Sequence, residues 1–281
     1  MDIRKVAVLG AGTMGHGIAQ VCAQSGFEVA LGDVSDVQLA KAVEKVRGSL
    51  EKLASKGKLD ADVATILGRL TVSSAMDRVL EGADLVIEAV PEKMELKLEL
   101  FRTASVKAPP HAIFATNTSS LSVTEIAADT GRSERVVGLH FFNPVPVMEL
   151  LEIVRGLSTD DATVDAALAF ARRIGKDPIV VKDWPGFATS RLGIILGCEA
   201  IRMVEQGVAS PADIDKAMKL GYRHPMGPLE LTDLVGLDVR LHIMEHLFAE
   251  LGEQFRPPAL LRQMVRAGKL GRKSGEGFYR Y

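Results

Sequence analysis

Short apolar runs alternate with segments of helical periodicity over the first 183 residues of the chain. Apolar runs of this length are typical of buried strands, and they lie at residues 6–9, 27–31, 70–73, 85–90, 113–116, 136–139, 150–154 and 179–181. Helices are predicted between most of them, at residues 15–24, 36–54, 93–106 and 160–174, with a capping box at Ser122 opening one more. This alternation predicts an α/β unit whose mostly parallel sheet is covered on both faces.

The pattern changes after Asp183, where the triplet Trp-Pro-Gly interrupts the chain and strand signals stop. Helices are predicted at residues 187–206, 229–234, 239–251 and 259–267. Another begins after Ser210, with a proline at its first position and an acid at its third. We therefore predict two domains, an α/β domain over residues 1–183 and an all-helical domain over residues 184–281.

Composition excludes some classes of partner. The 281 residues carry a net charge of −2, which favours neither nucleic acid nor an anionic membrane. Cys22 and Cys198 lie far apart in apolar surroundings and are expected to be buried thiols in a reducing compartment. The chain opens directly into a strand, so we expect a cytoplasmic protein.

A glycine-rich segment, G-A-G-T-M-G at residues 10–15, follows the first strand and opens the first helix. Its glycines allow a tight turn, close approach of the backbone to a pyrophosphate, and packing of helix on strand. The helix N-terminus offers free N–H groups to phosphates. The segment predicts a Rossmann-type dinucleotide site, with candidate cofactor-binding residues Gly10, Gly12, Thr13, Met14 and Gly15.

Asp33 ends the second strand, 18 residues after Gly15, close to the spacing expected for a carboxylate on the adenosine ribose. Its charge would repel a 2′-phosphate, and no arginine follows it directly, so NAD is favoured over NADP. FAD uses the same fingerprint and is the main alternative, although an all-helical second domain fits FAD less well.

A histidine and a glutamate flank a proline-containing turn farther along the chain. His140 ends one apolar run, Glu152 lies inside the next, and N-P-V-P at residues 143–146 can continue neither a strand nor a helix. If the chain doubles back there, His140 faces Glu152. A carboxylate facing an imidazole fixes its tautomer and raises its basicity, which predicts a general acid–base pair.

With both sites, the chain resembles the 3-hydroxyacyl-CoA dehydrogenase family, especially its bacterial 3-hydroxybutyryl-CoA members, over nearly its full length. The shared motifs are G-x-G-x-M-G-x-G-I-A at residues 10–19, N-T-S-S at 117–120, H-F-F-N-P at 140–144, P-G-F at 185–187, H-P-M-G-P at 224–228 and G-x-x-S-G-E-G-F-Y at 271–279. The resemblance implies NAD-dependent oxidation of (S)-3-hydroxyacyl-CoA, with 3-hydroxybutyryl-CoA as the expected substrate, and the reverse reduction. It also implies a homodimer through the helical domain.

The resemblance assigns roles to matching positions. It implies that His140 is the catalytic base, that Glu152 is its partner, and that Ser119 lies near the substrate oxygen. Further residues are implied beside the nicotinamide (Glu92, Lys97 and Asn143), closing over the cofactor (Lys273), and touching coenzyme A (Ser49 and Lys56). Lys52, Lys56 and Lys58 also follow an apolar helix closely, and lysines suit the phosphates of coenzyme A; a solvated helix end is the alternative explanation.

One position departs from the family pattern. The family reads P-G-F-x-x-N-R, with the asparagine contacting substrate, whereas here Ser190 takes its place. Serine keeps a hydroxyl but is shorter and lacks the amide pair. We expect weakened or retuned activity, and we include Ser190 among the catalytic candidates.

Two other functions compete with this interpretation. A hydroxyacid dehydrogenase of the 6-phosphogluconate type would place a catalytic lysine on the long helix of the second domain, but no lysine occurs between Lys182 and Lys216. An NAD-binding crystallin-like or sensory protein would be free to lose the catalytic set, which is present. His242 and His246 have i, i+4 spacing without a third ligand, so no metal site is predicted.

Overall fold

A computed structural model describes residues 2–281 of the chain, which divides into two compact units, one ending at Asp183 and the other beginning at Trp184. The first unit contains an eight-stranded sheet. Its strands are β1 (Lys5–Leu9), β2 (Glu28–Gly32), β3 (Leu70–Ser73), β4 (Leu85–Glu88), β5 (Ile113–Thr116), β6 (Val136–Phe141), β7 (Leu150–Arg155) and β8 (Asp177–Lys182).

The order of the strands is β3-β2-β1-β4-β5-β6-β7-β8. Every neighbouring pair is parallel except β6 and β7, which are antiparallel. Strands β4, β5 and β6 are buried along their whole length, as expected for a sheet covered on both faces. The predicted Rossmann-type α/β fold is confirmed.

Helices connect most of the strands. They are α1 (Thr13–Gln24), α2 (Asp36–Ala54), α3 (Val63–Gly68), α4 (Met76–Leu80), α5 (Met94–Lys107), α6 (Val123–Ala128) and α7 (Asp161–Arg173). Helix α6 begins where the capping box predicted it, since the Ser122 hydroxyl accepts a hydrogen bond from the Glu125 backbone N–H. The sequence did not predict α3 and α4, which have six and five residues and are too short for a periodic signal.

The second unit is helical, as predicted. Its helices are α8 (Thr189–Glu205), α9 (Pro211–Gly221), α10 (Pro228–Val235), α11 (Leu237–Leu251) and α12 (Ala259–Arg266). The only extended pairing described within this unit consists of two isolated bridges, Gly271 with Glu276 and Glu276 with Arg280. They fold the C-terminal segment into a compact turn that the sequence did not predict.

Both cysteines are buried free thiols, as expected. Across residues 2–281, no helix combines the length and apolar character needed to cross a membrane. The same residues contain no group of three or more His, Cys, Asp or Glu side chains arranged to hold a metal ion.

Candidate active site

The glycine segment, Asp33, Glu92 and Ser119 lie in the loops that follow β1, β2, β4 and β5, at one edge of the sheet. Because β1, β2, β4, β5 and β6 are parallel, their carboxyl ends lie together, which is where ligands bind in open α/β sheets. Backbone hydrogen bonds join these loops: Gly10 N–H donates to Gly32, Ala89 N–H to Leu9 and Asn117 N–H to Glu88, at 2.7, 2.7 and 2.9 Å.

The glycine loop after β1 has two positions that only glycine fits. Gly10 has φ +105°, and a Cβ there would lie 2.7 Å from the carbonyl oxygen of Ala89. A Cβ on Gly15 would lie 1.7 Å from the carbonyl oxygen of Gly10. A Cβ on Gly12 would meet no atom of the described chain within 4 Å. The space beside Gly12 is therefore open to a ligand, whereas Gly10 and Gly15 are fixed by packing.

The first turn of α1 fits the phosphates of a dinucleotide. Gly12 is the N-cap and provides no side-chain acceptor for the N–H groups of the turn. Thr13 and Met14 open the helix, and the His16 ring nitrogen Nδ1 lies 2.7 Å from the Gly12 carbonyl oxygen. The donors, the open space and the tight turn together fit a pyrophosphate at this end of α1.

Asp33 lies beside the glycine loop and is held by backbone donors. Its Oδ2 accepts a hydrogen bond from Ala11 N–H at 2.8 Å, and its Oδ1 accepts one from Ser35 N–H at 3.0 Å. These bonds orient the carboxylate at the end of β2, where a ribose hydroxyl is expected to bind. The predicted role of Asp33 in selecting NAD is compatible with this position.

His140 and Glu152 face each other across β6 and β7. The two residues are paired in the antiparallel register, and His140 Nδ1 lies 2.6 Å from Glu152 Oε2. Glu152 is fully buried and His140 is 6% exposed. The Phe142 ring lies 4.5 Å from the imidazole, centroid to centroid. The carboxylate therefore fixes the tautomer of His140, with Nδ1 toward Glu152 and Nε2 on the opposite side of the ring.

Ser119 follows β5 and is held by Glu92. The carboxylate oxygen Glu92 Oε1 accepts hydrogen bonds from the Thr118 hydroxyl, from Ser119 N–H at 2.9 Å and from the Ser119 hydroxyl at 3.4 Å. Asn117 Oδ1 accepts a hydrogen bond from Phe141 N–H at 3.0 Å, which ties this turn to the end of β6. Ser119 and His140 are thus brought to the same edge of the sheet.

Lys97, predicted beside the nicotinamide, lies inside the first unit. Its side chain is 1% exposed, and its Nζ contacts Glu88 and Glu92. Sequence reasoning assigned no role to Glu88, Thr116 or Thr118. A carboxylate ending the otherwise apolar run Leu-Val-Ile-Glu at 85–88 was the available signal.

The other predicted residues occupy further segments of the chain. Asn143 is exposed just after β6, Ser49 is half-buried on α2, and Lys56 is exposed two residues beyond that helix. Ser190 and Lys273 belong to the second unit. Ser190 lies in the first turn of α8, and the Lys273 ammonium pairs with the Asp238 carboxylate at 2.5 Å. Their predicted roles stay predictions.

The first unit combines a dinucleotide-binding loop and a buried histidine–carboxylate pair at one edge of its sheet. This combination is typical of an oxidoreductase that uses a nicotinamide cofactor. Both units also match domains of one known family of such enzymes. Residues 5–184 match the NAD-binding domain of 3-hydroxyacyl-CoA dehydrogenase, and residues 186–281 match the C-terminal domain of the same family.

Individual members of this family are similar to the chain along its whole length. It is 47% identical to a probable 3-hydroxybutyryl-CoA dehydrogenase of Bacillus subtilis over 100% of this chain and 98% of the relative. It is 43% identical to the mitochondrial hydroxyacyl-coenzyme A dehydrogenase of Rattus norvegicus, over 99% and 91%. The solved structure of (S)-3-hydroxybutyryl-CoA dehydrogenase from Ralstonia eutropha superposes with a TM-score of 0.96 at 46% identity, over 100% and 99%.

The chain belongs to the 3-hydroxyacyl-CoA dehydrogenase family. It is an NAD-dependent enzyme that oxidises 3-hydroxyacyl-CoA. The predicted fold, cofactor and reaction class are confirmed. The family match favours this enzyme over the two alternatives, a hydroxyacid dehydrogenase of the 6-phosphogluconate type and an NAD-binding crystallin-like or sensory protein.

Proposed function

We propose that the chain interconverts (S)-3-hydroxybutyryl-CoA and acetoacetyl-CoA, with His140 as the general acid–base group. The buried contact of 2.6 Å between His140 and Glu152 carries the proposal. The short acyl chain is suggested by relatives named 3-hydroxybutyryl-CoA dehydrogenase, including that of Bradyrhizobium diazoefficiens at 45% identity.

In the direction of oxidation, His140 accepts the proton of the 3-hydroxyl on Nε2. Glu152, held on the Nδ1 side, stabilises the imidazolium that forms. Ser119 orients the substrate oxygen through its hydroxyl, which can donate or accept a hydrogen bond. NAD, when bound, supplies the acceptor for the hydride of C3. In the reverse direction the protonated histidine donates to the carbonyl oxygen.

The NAD-binding groups of this chain fit that chemistry. The first turn of α1 would hold the pyrophosphate, and Asp33 would hold the adenosine ribose. Lys56, with Ser49, would bind coenzyme A. Lys52 in the last turn of α2, and Lys56 and Lys58 beyond it, are all exposed and available to phosphates.

We also propose a homodimer through the second unit. Leu192 and Leu196 lie four residues apart on one face of α8 and are 63% and 43% exposed. Leu220 and Tyr222 add further apolar surface, at 73% and 76% exposed. Apolar side chains exposed to this extent are typical of an interface between subunits. Sedimentation of the purified chain measures the oligomeric state, and a monomer would contradict the proposal. A cytoplasmic location remains a prediction.

The substitution His140→Gln tests the mechanism. General acid–base catalysis contributes roughly 10²–10⁴-fold, so kcat for acetoacetyl-CoA should fall by about that factor while the Kd for NADH is unchanged. His111→Gln is the matched control, because His111 pairs with Asp84 at the surface of the same unit. Unchanged kcat in His140→Gln, or loss of NADH binding, would mean that His140 is structural.

The proposed acyl chain length of the substrate is tested separately, by comparing kcat/KM for acetoacetyl-CoA with that for longer 3-oxoacyl-CoA substrates.

A further inference from the structure

Lys176 is a buried lysine whose ammonium contacts backbone carbonyls. It lies between α7 and β8 and is 8% exposed. Its Nζ donates to the carbonyl oxygens of Val145 and Met148 at 2.6 and 2.7 Å. Burial lowers the pKa of Lys176, and the Glu149 carboxylate opposes that shift without reversing it. Because a buried cation is costly unless it is hydrogen-bonded, these two bonds fix the ammonium and the carbonyls relative to one another.

The two carbonyls belong to residues 142–149, the turn that joins β6 to β7. These strands carry the proposed acid–base pair, His140 and Glu152. The turn begins beside the imidazole, since the Phe142 ring lies 4.5 Å from the His140 ring, centroid to centroid. The pairing of the two strands ends at Phe141, so the turn itself has no strand partner. Contacts from other elements therefore fix its position.

Two elements of the first unit hold this turn. The first is α1, where a Cβ added to Gly17 would lie only 2.9 Å from the Val145 Cβ. The second is the start of β8, where Lys176 binds the two carbonyls and Asp177 N–H donates to the Glu149 carbonyl at 2.9 Å. Apolar packing on α1 is not directional, whereas hydrogen bonds are. The bonds of Lys176 therefore decide how the turn is oriented.

We propose that Lys176 is a positioning residue for the acid–base pair, acting through the turn of residues 142–149. Its hydrogen bonds set the path of the turn, and the path of the turn sets where the Phe142 ring packs against His140. The proposal rests on the proposed role of His140 as the acid–base group. Because Lys176 acts on the imidazole only through the turn, its removal should change both the mobility of the turn and the rate.

Lys176→Met removes the two hydrogen bonds and keeps an apolar side chain of similar length. The kcat for acetoacetyl-CoA reduction, expressed per NADH-binding site, should fall by about 10- to 10²-fold, since a displacement of about 1 Å costs up to about 10²-fold in rate. Counting the sites by NADH fluorescence removes the contribution of unfolded chains, which is all that a merely structural Lys176 would change. A kcat per site equal to that of the parent would overturn the proposal, as would a folded variant without NADH-binding sites.

Hydrogen exchange of the turn is the second readout. Val147 N–H and Met148 N–H donate to the Pro144 carbonyl at 2.9 and 3.1 Å, inside the turn that Lys176 holds. Their exchange, measured by mass spectrometry on a peptide covering residues 143–149, should be about tenfold faster in Lys176→Met, because losing the Lys176 bonds lowers the free energy of local opening. Unchanged exchange together with a lowered kcat would mean that Lys176 acts by another route, which contradicts the proposal.

Arg173→Met is the matched control. Arg173 ends α7, three residues before Lys176, and it too donates to a backbone carbonyl, that of Ile3 at 3.0 Å. Its guanidinium also lies 3.9 Å from the centroid of the Phe27 ring. Removing these contacts should lower the Tm but leave kcat per site and the exchange of the turn unchanged. An equal loss of kcat per site in the two variants would overturn the proposal.

Lys176→Gln gives the same test if Lys176→Met does not fold. Its amide keeps a polar group at this position, but the side chain is shorter than that of lysine and leaves the two carbonyls without their donor. A kcat per site and an exchange rate equal to those of the parent would again overturn the proposal. Failure of the proposed mechanism is read separately from His140→Gln, which leaves Lys176 and its two carbonyls in place.

Discussion

Replacing Glu152 by glutamine tests how much the buried carboxylate contributes to catalysis. The substitution keeps the shape of the side chain but removes the charge 2.6 Å from His140 Nδ1. A hydrogen bond to a charged group contributes about 1.5–3 kcal/mol, and each tenfold in rate corresponds to about 1.4 kcal/mol. The imidazolium of the transition state should lose that stabilisation, so kcat should fall roughly 10- to 10²-fold.

The amide adds a second effect in the same direction. Its NH₂ group can donate to Nδ1, which would place the proton of the neutral imidazole on Nε2 and stop that nitrogen from accepting the substrate proton. The loss of kcat in the oxidation of 3-hydroxybutyryl-CoA should therefore be at least as large as the electrostatic value. The KM should change little, because Glu152 is fully buried and does not meet the substrate.

The assay is NADH absorbance under saturating 3-hydroxybutyryl-CoA and NAD, with the Tm measured in parallel. Glu149→Gln is the matched control, since Glu149 lies exposed in the preceding turn. A kcat for Glu152→Gln within about twofold of the parent, below the lower bound set by one charged hydrogen bond, would refute the reasoning. The pair would then have only a structural role.

Three further predictions follow from the site and the second unit. Gly12→Ala should keep its Tm, because the added Cβ enters open space, but that space is where the pyrophosphate would bind. NADH binding should therefore weaken by about tenfold or more, a loss of about 1.4 kcal/mol. Gly10→Ala should instead lower the Tm, because Gly10 has φ +105° and the added Cβ would meet the Ala89 carbonyl. Ser190→Asn should change kcat or KM for acetoacetyl-CoA if this position contacts substrate. Tyr279→Phe should destabilise the second unit by about 1.5–3 kcal/mol, as its hydroxyl donates to the buried Asp215 at 2.6 Å.

Each of these has a contrary outcome. Equal NADH affinity in Gly12→Ala would place the pyrophosphate elsewhere, and unchanged kinetics in Ser190→Asn would mean that the departure from the family has no consequence. Tyr281→Phe is the control for Tyr279, because the Tyr281 hydroxyl makes a longer bond of 3.2 Å to Asp233. Equal losses of unfolding free energy in the two variants would contradict the assigned role of the Asp215 contact.

The sequence by itself predicted the parts of the protein that depend on neighbours along the chain. The alternation of strands and helices placed the sheet, and the glycine spacing with Asp33 placed the dinucleotide site. His140 and Glu152 could be matched because they are only twelve residues apart and a proline-containing turn returns the chain beside itself. In a strand pair of this kind, the turn and the buried faces fix the register.

Tertiary structure alone decided the contacts between distant segments. The family resemblance implied that Lys97 lies beside the nicotinamide, which stays a prediction. Only the folded chain shows that the Lys97 ammonium also contacts the carboxylates of Glu88 and Glu92. The anchoring of the C-terminal turn on Asp233 was equally invisible, because the donors Phe278 and Tyr279 are 45 and 46 residues away. No periodic pattern encodes such partners, because burial and hydrogen bonding at these positions depend on which elements the fold brings together.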